Sequence, residues 1–396
     1  MRRDGTSGGR RLLSRVVRAL VAASALSTAV ALSAEGPPSP VPASRFTDPA
    51  DGWFDVSNFL DTAYGFVPVL APITEPAIGY GAVGALVFID RHVAGAGQRY
   101  TRPNLAVVGG LATENGTRGL FASHLGTWRD GGVRTIAALA QMDVNLDFFG
   151  LGGDRRPDAL ALGYTVSAKG GVVGGNLRLA ESPLWLGLRY TAVRTNVSFA
   201  DPVAGLPTIP NPDRDQDLAG LTPSVTYDAR DNFFTPTRGW YVDLSVPVFR
   251  RGLGGDRDFQ TANLTAIGYQ PLGRETYFSA RATAKASSDG TPFYLRPYVG
   301  LRGVQALRYQ GEQAAEFEAE LRWQLHSRFS LIGFGGAGVA KSDQLGVGRE
   351  KSVAAGGAGF RYLIARKHGL HMGLDVAAGP DKPVFYVVFG NAWLRP

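Results

Sequence analysis

Residues 316–325 alternate without a break. Phe317, Ala319, Leu321, Trp323 and Leu325 fall on one face, and Glu316, Glu318, Glu320, Arg322 and Gln324 on the other. A period of two marks a strand with one apolar and one polar face. The alternation recurs at 238–250, where Trp240, Val242, Leu244, Val246 and Val248 oppose Tyr241, Asp243 and Ser245. It recurs again at 184–198, where Leu184, Leu186, Leu188 and Tyr190 oppose Gly187, Arg189 and Thr191. Repeated strands with polar inward and aromatic-rich outward faces predict an all-β fold, a transmembrane antiparallel β-barrel. Residues 66–89 carry a single charge, Glu75, but Pro68, Pro72 and Pro76 with Gly79, Gly81 and Gly84 argue against a membrane helix there.

The pattern predicts sixteen strands, at 77–90, 102–113, 118–128, 133–147, 159–169, 172–180, 184–198, 218–229, 238–250, 258–270, 275–287, 312–325, 328–340, 351–364, 369–378 and 384–393. An even number suits a single-chain barrel with both termini on the periplasmic side, and most segments reach the ~9–11 residues that cross a bilayer at a tilt. The outer loops then fall at 91–101, 129–132, 170–171, 199–217, 251–257, 288–311, 341–350 and 379–383. Turns such as 114–117, 181–183 and 271–274 lie inside, where only 148–158 is long for its side. Long loops outside and short turns inside is the asymmetry such barrels have.

Composition sharpens the boundaries. With 52 Gly, 19% charged residues and a mean hydropathy of −0.04, the 396-residue chain is too polar for a helical membrane protein. It has no Cys, hence neither disulfides nor a thiolate metal site. Six arginines against Asp4 within residues 1–34 account for five of the seven net positive charges, so the basic balance does not point to nucleic acid. Those arginines precede the uncharged run Ala19–Ala34, which reads as a secretory signal peptide cleaved near Ser33 or Ala34. The Pro/Ser-rich residues that follow, with the lead-in up to 75, form a periplasmic tether, and the barrel occupies 76–393.

At 227–239 the chain reads YDARDNFFTPTRG, and there it resembles the BamA/TamA-like family of outer-membrane assembly barrels, also called bacterial surface antigens. The residues that carry the likeness are Tyr227, Asp228, Arg230, Asp231, Asn232, Pro236, Thr237 and Gly239, on a periplasmic turn. Leu301-Arg302-Gly303 resembles the family's Val-Arg-Gly-aromatic motif, at the tip of a sixth outer loop folded back into the lumen. Val304 replaces the aromatic, and Phe334-Gly335-Gly336-Ala337-Gly338 lacks the Asp that the family offers on the next strand. Arg302 is therefore expected to pair with Glu318 or Glu320, since a buried guanidinium needs a carboxylate. The family carries periplasmic POTRA domains. The roughly 40 residues between the cleavage site and the barrel are too few for one.

The resemblance implies an outer-membrane protein that assists assembly or insertion of outer-membrane proteins or lipids. Its partners would be outer-membrane lipids, unfolded barrel clients or a separate periplasmic protein. A passive or gated channel and a structural surface antigen are the alternatives. No enzyme or cofactor is expected: His368 and His371 lack flanking carboxylates, and Ser123 and His124 are adjacent on a strand and face opposite ways. The glycine-rich segments 150–154 and 252–256 read as turns, not phosphate loops. The working part would be a seam between the first strand, bent by Gly79, Gly81 and Gly84, and the last, with Phe385, Phe389 and Trp393 facing outward. Such a seam could open sideways and template an incoming strand.

Overall fold

The computed structural model describes residues 46–63, 65–90, 104–149, 162–199, 214–342 and 349–393. The expected leader, the tether as far as residue 45 and the glycine-rich segment 150–154 lie outside the described residues. A short helix α1 (Ser57–Thr62) precedes a single sheet of seventeen strands. The strands are β1 (Gly65–Glu75), β2 (Gly79–Ile89), β3 (Leu105–Thr113), β4 (Arg118–Trp128), β5 (Val133–Phe148) and β6 (Leu162–Arg178). They continue as β7 (Leu184–Phe199), β8 (Asp215–Asp228), β9 (Gly239–Ser245), β10 (Val248–Phe249), β11 (Phe259–Pro271) and β12 (Thr276–Ser287). The last are β13 (Gln313–Gln324), β14 (Phe329–Ser342), β15 (Arg349–Ala365), β16 (Leu370–Ala378) and β17 (Val384–Phe389).

Each strand pairs antiparallel with its neighbours in the chain. β9 and β10 form one line between β8 and β11, broken at Pro247, which has no N–H to give. Counted as one, they leave sixteen strand positions, the number expected, reached through two offsetting differences. Gly65–Glu75 is a strand and not a lead-in, paired with β2 along its whole length. Residues 159–169 and 172–180, expected as two strands, are the single strand β6; Gly170 and Gly171 run straight through instead of turning. Between these differences the predicted ends exchange: β2 ends and β3 begins, as β4 ends and β5 begins, at the end that carries residues 46–62, here called the base, while residues 91–101 themselves lie outside the described residues. The turn 114–117 and the long connection after β5 lie at the opposite end, the rim. The misfit at 148–158 disappears with that exchange.

Outward faces are apolar as expected: Phe317, Leu321 and Trp323 are exposed while Glu316, Glu318, Glu320 and Arg322 are buried. The inward faces are not uniformly polar. Ala71, Val83, Leu111, Gly119 and Met142 share one inward register row across β1–β5, opposite in direction to the exposed Leu70, Leu86, Val108, Leu120 and Leu139. Charged and polar inward positions concentrate instead on β8–β16, and the 288–312 connection packs against that half and, through Phe293 and Tyr294, against β6 and β7.

Candidate functional site: the lumenal ion network and the strand seam

Between β12 and β13 the chain folds inward. Phe293 packs on Tyr164 and Phe199, and the Tyr294 hydroxyl is 2.7 Å from Thr195 Oγ1. Val299, Leu301 and Val304 are buried with Ala314, Ala340 and Val353. The glycines of β14 make the seat. A Cβ at Gly338 would lie 2.4 Å from the Val299 side chain, and one at Gly336 would lie 3.0 Å from that of Leu301. Gly303 has φ +88°, a left-handed conformation open to glycine, and its N–H donates to the Tyr386 hydroxyl at 2.9 Å. Val304, in place of an aromatic, completes the apolar cluster.

This placement puts Arg302 among three carboxylates. Its Nε donates to Glu318 Oε1 at 2.7 Å, and Nη1 lies 2.8 Å from both Glu320 Oε2 and Asp375 Oδ2. The guanidinium stacks on Phe334, its carbon 3.6 Å from the ring centroid. Arg302 thus pairs with both glutamates proposed for it and with Asp375, which sequence reasoning missed. Asp375 is also gripped by Arg361, with Nη2 donating to Oδ2 at 2.9 Å. Gly359 leaves the room for that carboxylate, since a Cβ there would come within 1.9 Å of Asp375 Oδ1. Arg281 extends the network: its Nη2 donates to the Gly300 carbonyl at 2.7 Å and to Glu318 Oε2 at 3.3 Å. Charged groups in such numbers are tolerated inside a sheet because each finds opposite partners.

The 227–239 motif does more than turn the chain. Asp228 accepts two bonds from Arg230, at 2.7 and 2.9 Å, and that guanidinium lies 4.6 Å from the centre of the Tyr241 ring. Asp231 caps the amides of Thr237 and Arg238, at 2.9 and 3.2 Å. Asn232 Oδ1 accepts the amides of Phe234 and Thr235 while its Nδ2 donates to the His368 carbonyl at 3.0 Å. The Phe234 carbonyl accepts from Asn391, so the turn reaches from β8–β9 across the base to the β15–β16 turn and the residues after β17. Pro236 helps to line the small cavity behind it, with Arg322 and Asn391. Gly239 sits at φ +106°, where a Cβ would strike the Ala229 carbonyl at 2.1 Å. Tyr227 stands apart, exposed on the outer wall.

The seam differs from expectation in both of its members. Because β1 precedes it, the strand bearing Gly79, Gly81 and Gly84 is β2, laddered on both sides. Gly79 closes the β1–β2 turn at φ +78°. The edge strand is β1, and its lettering suits an edge. The Tyr80 carbonyl accepts from Glu114, beyond β3, so even positions of β2 point to β3 and odd positions to β1. By the register, Phe66, Pro68, Leu70, Pro72 and Thr74 then direct their backbones away from β2, and two of these five have no N–H. Across the seam the Val387 amide donates to Thr74 Oγ1 at 3.4 Å, and Phe385 stacks on Tyr80 at 5.0 Å. Among the described residues no backbone ladder joins β17 to β1.

Phe385 and Phe389 face outward as expected, but Trp393 does not. β17 ends at Phe389, Gly390 turns the chain at φ +74°, and Trp393 is buried in the interior. There its indole N–H donates to Glu318 Oε2 at 2.7 Å, beside Arg302. Since β17 stops two residues beyond Val387, it runs alongside only the rim end of β1. Among the described residues nothing pairs with the base end of that edge, and Phe66 and Leu70 on it are 71% and 79% exposed.

Residues 161–348 match the family described as the Omp85 superfamily domain. The crystal structure of BamA from Haemophilus ducreyi lacking POTRA domains 1-3 is similar with a TM-score of 0.54 at 14% identity. The match covers 83% of this chain and 70% of that one. CdiB from Escherichia coli gives a TM-score of 0.55 at 12% identity, covering 81% of this chain and 61% of that one. CdiB from Acinetobacter baumannii gives 0.52 at 9%, covering 82% and 59%. This chain therefore spans about three fifths of the length of the two CdiB proteins, and the likeness at such identity is one of fold. No curated protein sequence matches the chain.

Proposed function

We propose, from the match of residues 161–348 to the Omp85 superfamily domain, that the chain is a bacterial outer-membrane barrel assisting insertion of outer-membrane proteins or lipids through the β1–β17 seam. The observation that carries this reading is the bare base end of β1. In hydrocarbon, an unpaired N–H or C=O costs several kcal/mol. An edge whose remaining donors and acceptors face the bilayer is therefore a template for a strand that can satisfy them. Pro68 and Pro72 each remove a donor from that edge, so it pairs less readily with the chain's own strands and stays available. The short β17, six residues long, favours thinning of the adjacent bilayer, which lowers the barrier to entry. The ion network around Arg302 would hold the interior of β13–β16 rigid while the seam moves. No catalytic step is part of this reading.

The test is folding of an unfolded barrel client into liposomes that contain the purified protein, beside an Arg302→Ala variant. Accelerated client folding that falls in the variant supports insertion dependent on the seated loop. A correctly folded protein that gives no acceleration, with or without Arg302, would leave a channel or a structural barrel.

A further inference from the structure

Residues 46–62 carry four aspartates, and each meets a cation at the base of the sheet. Arg328, in the β13–β14 turn, is fully buried beneath them. Its Nε donates to Asp51 Oδ2 at 2.6 Å, Nη2 donates to Asp48 Oδ2 at 2.6 Å, and Nη1 donates to Asp55 Oδ2 at 2.5 Å and to the Leu363 carbonyl at 3.0 Å. Arg366 reaches Asp48 and Asp51 at 3.1 and 3.0 Å, and its own amide donates to Asp55 at 3.0 Å. Lys367 and His368 both hold Asp61, at 3.0 and 2.9 Å. Backbone bonds reinforce the contact: the Val56 amide donates to the Ile364 carbonyl at 2.8 Å, and the Tyr362 hydroxyl donates to the Phe54 carbonyl at 2.6 Å. Trp53 packs edge-on against Phe329.

The position of this socket matters more than its strength. Its cations sit on the turns β13–β14 and β15–β16, on the β17 side of the seam. Its ligand ends at Thr62 and is followed, three residues later, by Gly65, the first residue of β1, on the other side. The clasp therefore bridges the seam at the end where β17 does not reach. Apart from the β2 ladder, the clasp is the strongest described attachment of that end of β1.

We infer that residues 46–62 are a latch: an acidic segment that occupies a cationic socket on Arg328, Arg366 and Lys367 and thereby sets the width of the seam at the base. While docked, it keeps β1 against the β13–β17 side. Released, it leaves β1 hinged on β2 alone, and the bare edge swings open. The inference concerns the seam itself and stands whatever passes through it.

The chain has no cysteine, so spin labels can be placed at will. Labels at Leu70→Cys and Phe389→Cys, both on the outer wall, measure seam width, and a label at Asn58→Cys reports docking of the segment. The background variants are Asp48→Asn/Asp51→Asn/Asp55→Asn and Arg328→Met. Arg366→Met/Lys367→Met, which removes only the more exposed cations, serves if the others fail to fold. In the native chain the seam labels should give one short, narrow distance and the Asn58 label should be immobile. In the variants the Asn58 label should become mobile, and the seam distance should shift to a longer, broader population absent from the native chain. A mobile Asn58 label with an unchanged seam distance would overturn the latch. So would an Asn58 label that stays immobile in the variants, because the aspartates would then not be what holds the segment. Client folding is not read in this experiment, so its result is separate from that of the liposome assay.

Discussion

Arg302 is held by Glu318, Glu320 and Asp375 and lies on the face of Phe334, so removing it leaves buried carboxylates short of a partner. Arg302→Ala should destabilise the seated loop by about 3–5 kcal/mol, the range for breaking a buried ion pair from one side. Limited proteolysis within 288–312 should become faster while the sheet stays intact. Gly338→Leu should unseat the same loop by another route, since the new side chain must displace Val299, at about 1–3 kcal/mol for overpacking. At the base, hydrogen bonds from Arg328 outweigh the opposing effect of burial and hold the Asp51 carboxyl at about 2, against an ordinary 3.8. Hydrogen bonds from Ser57, Arg328 and the Arg366 amide likewise outweigh burial and keep Asp55 low. A depressed carboxylate stabilises above its ordinary pKa and ceases to as the pH falls through its folded value. The clasp should therefore stay docked through neutral pH down to about 4 and loosen between 3.8 and 2, which mobility of the Asn58 label against pH will check. Of these residues, the sequence showed Arg302, Glu318 and Glu320 together, because the glutamates alternate onto one face of the strand that follows the loop. Asp375 and Arg361 stayed hidden because a contact spanning four strands depends on the register of each pair between them. Trp393 was placed on the wrong side because counting alternation through Gly390 ignores a positive φ.

At the scale of elements, β1 and β6 went astray for opposite reasons. Pro68 and Pro72 weigh against a membrane helix and leave 65–75 reading as a lead-in, yet prolines are compatible with an edge strand, and both lie on its free side. Paired glycines are evidence for a turn, yet Gly170 and Gly171 continue β6 where neighbouring strands come close. A Cβ on Gly170 would be 2.2 Å from the Ala192 carbonyl. The alternating strands β7, β9 and β13 were read correctly because one of their faces meets the membrane and the other a polar interior. The role of the prolines can be tested directly. Pro72→Val restores a donor to the edge of β1 beside the end of β17, and hydrogen exchange at the amides of Phe385, Val387 and Phe389 should slow as a ladder forms. Unchanged exchange would mean that something other than the missing donor keeps the strands apart.

Across the whole molecule the interior is divided. The half lined by β8–β16 is charged and filled by the loop at 288–312, the 229–238 turn and Trp393, while the wall of β1–β5 is apolar and ends at the seam. The clasp at the base connects the two halves across that seam. The charged half was legible in the alternation of β13, whereas the apolar inward face of β1–β5 was not, because strands apolar on both faces lose the contrast on which the reading depends. In the proposed function the half bearing the ion network stays rigid and the side bearing β1 hinges. The central claim is that the hinged side must move for the protein to work. Thr74→Cys/Val387→Cys places a disulfide where the Thr74 hydroxyl already lies 3.4 Å from the Val387 amide, in a chain with no other cysteine. Client folding in liposomes should be lost when this pair is oxidised and return on reduction. Equal acceleration in the oxidised and reduced protein, with the crosslink verified, would contradict the account.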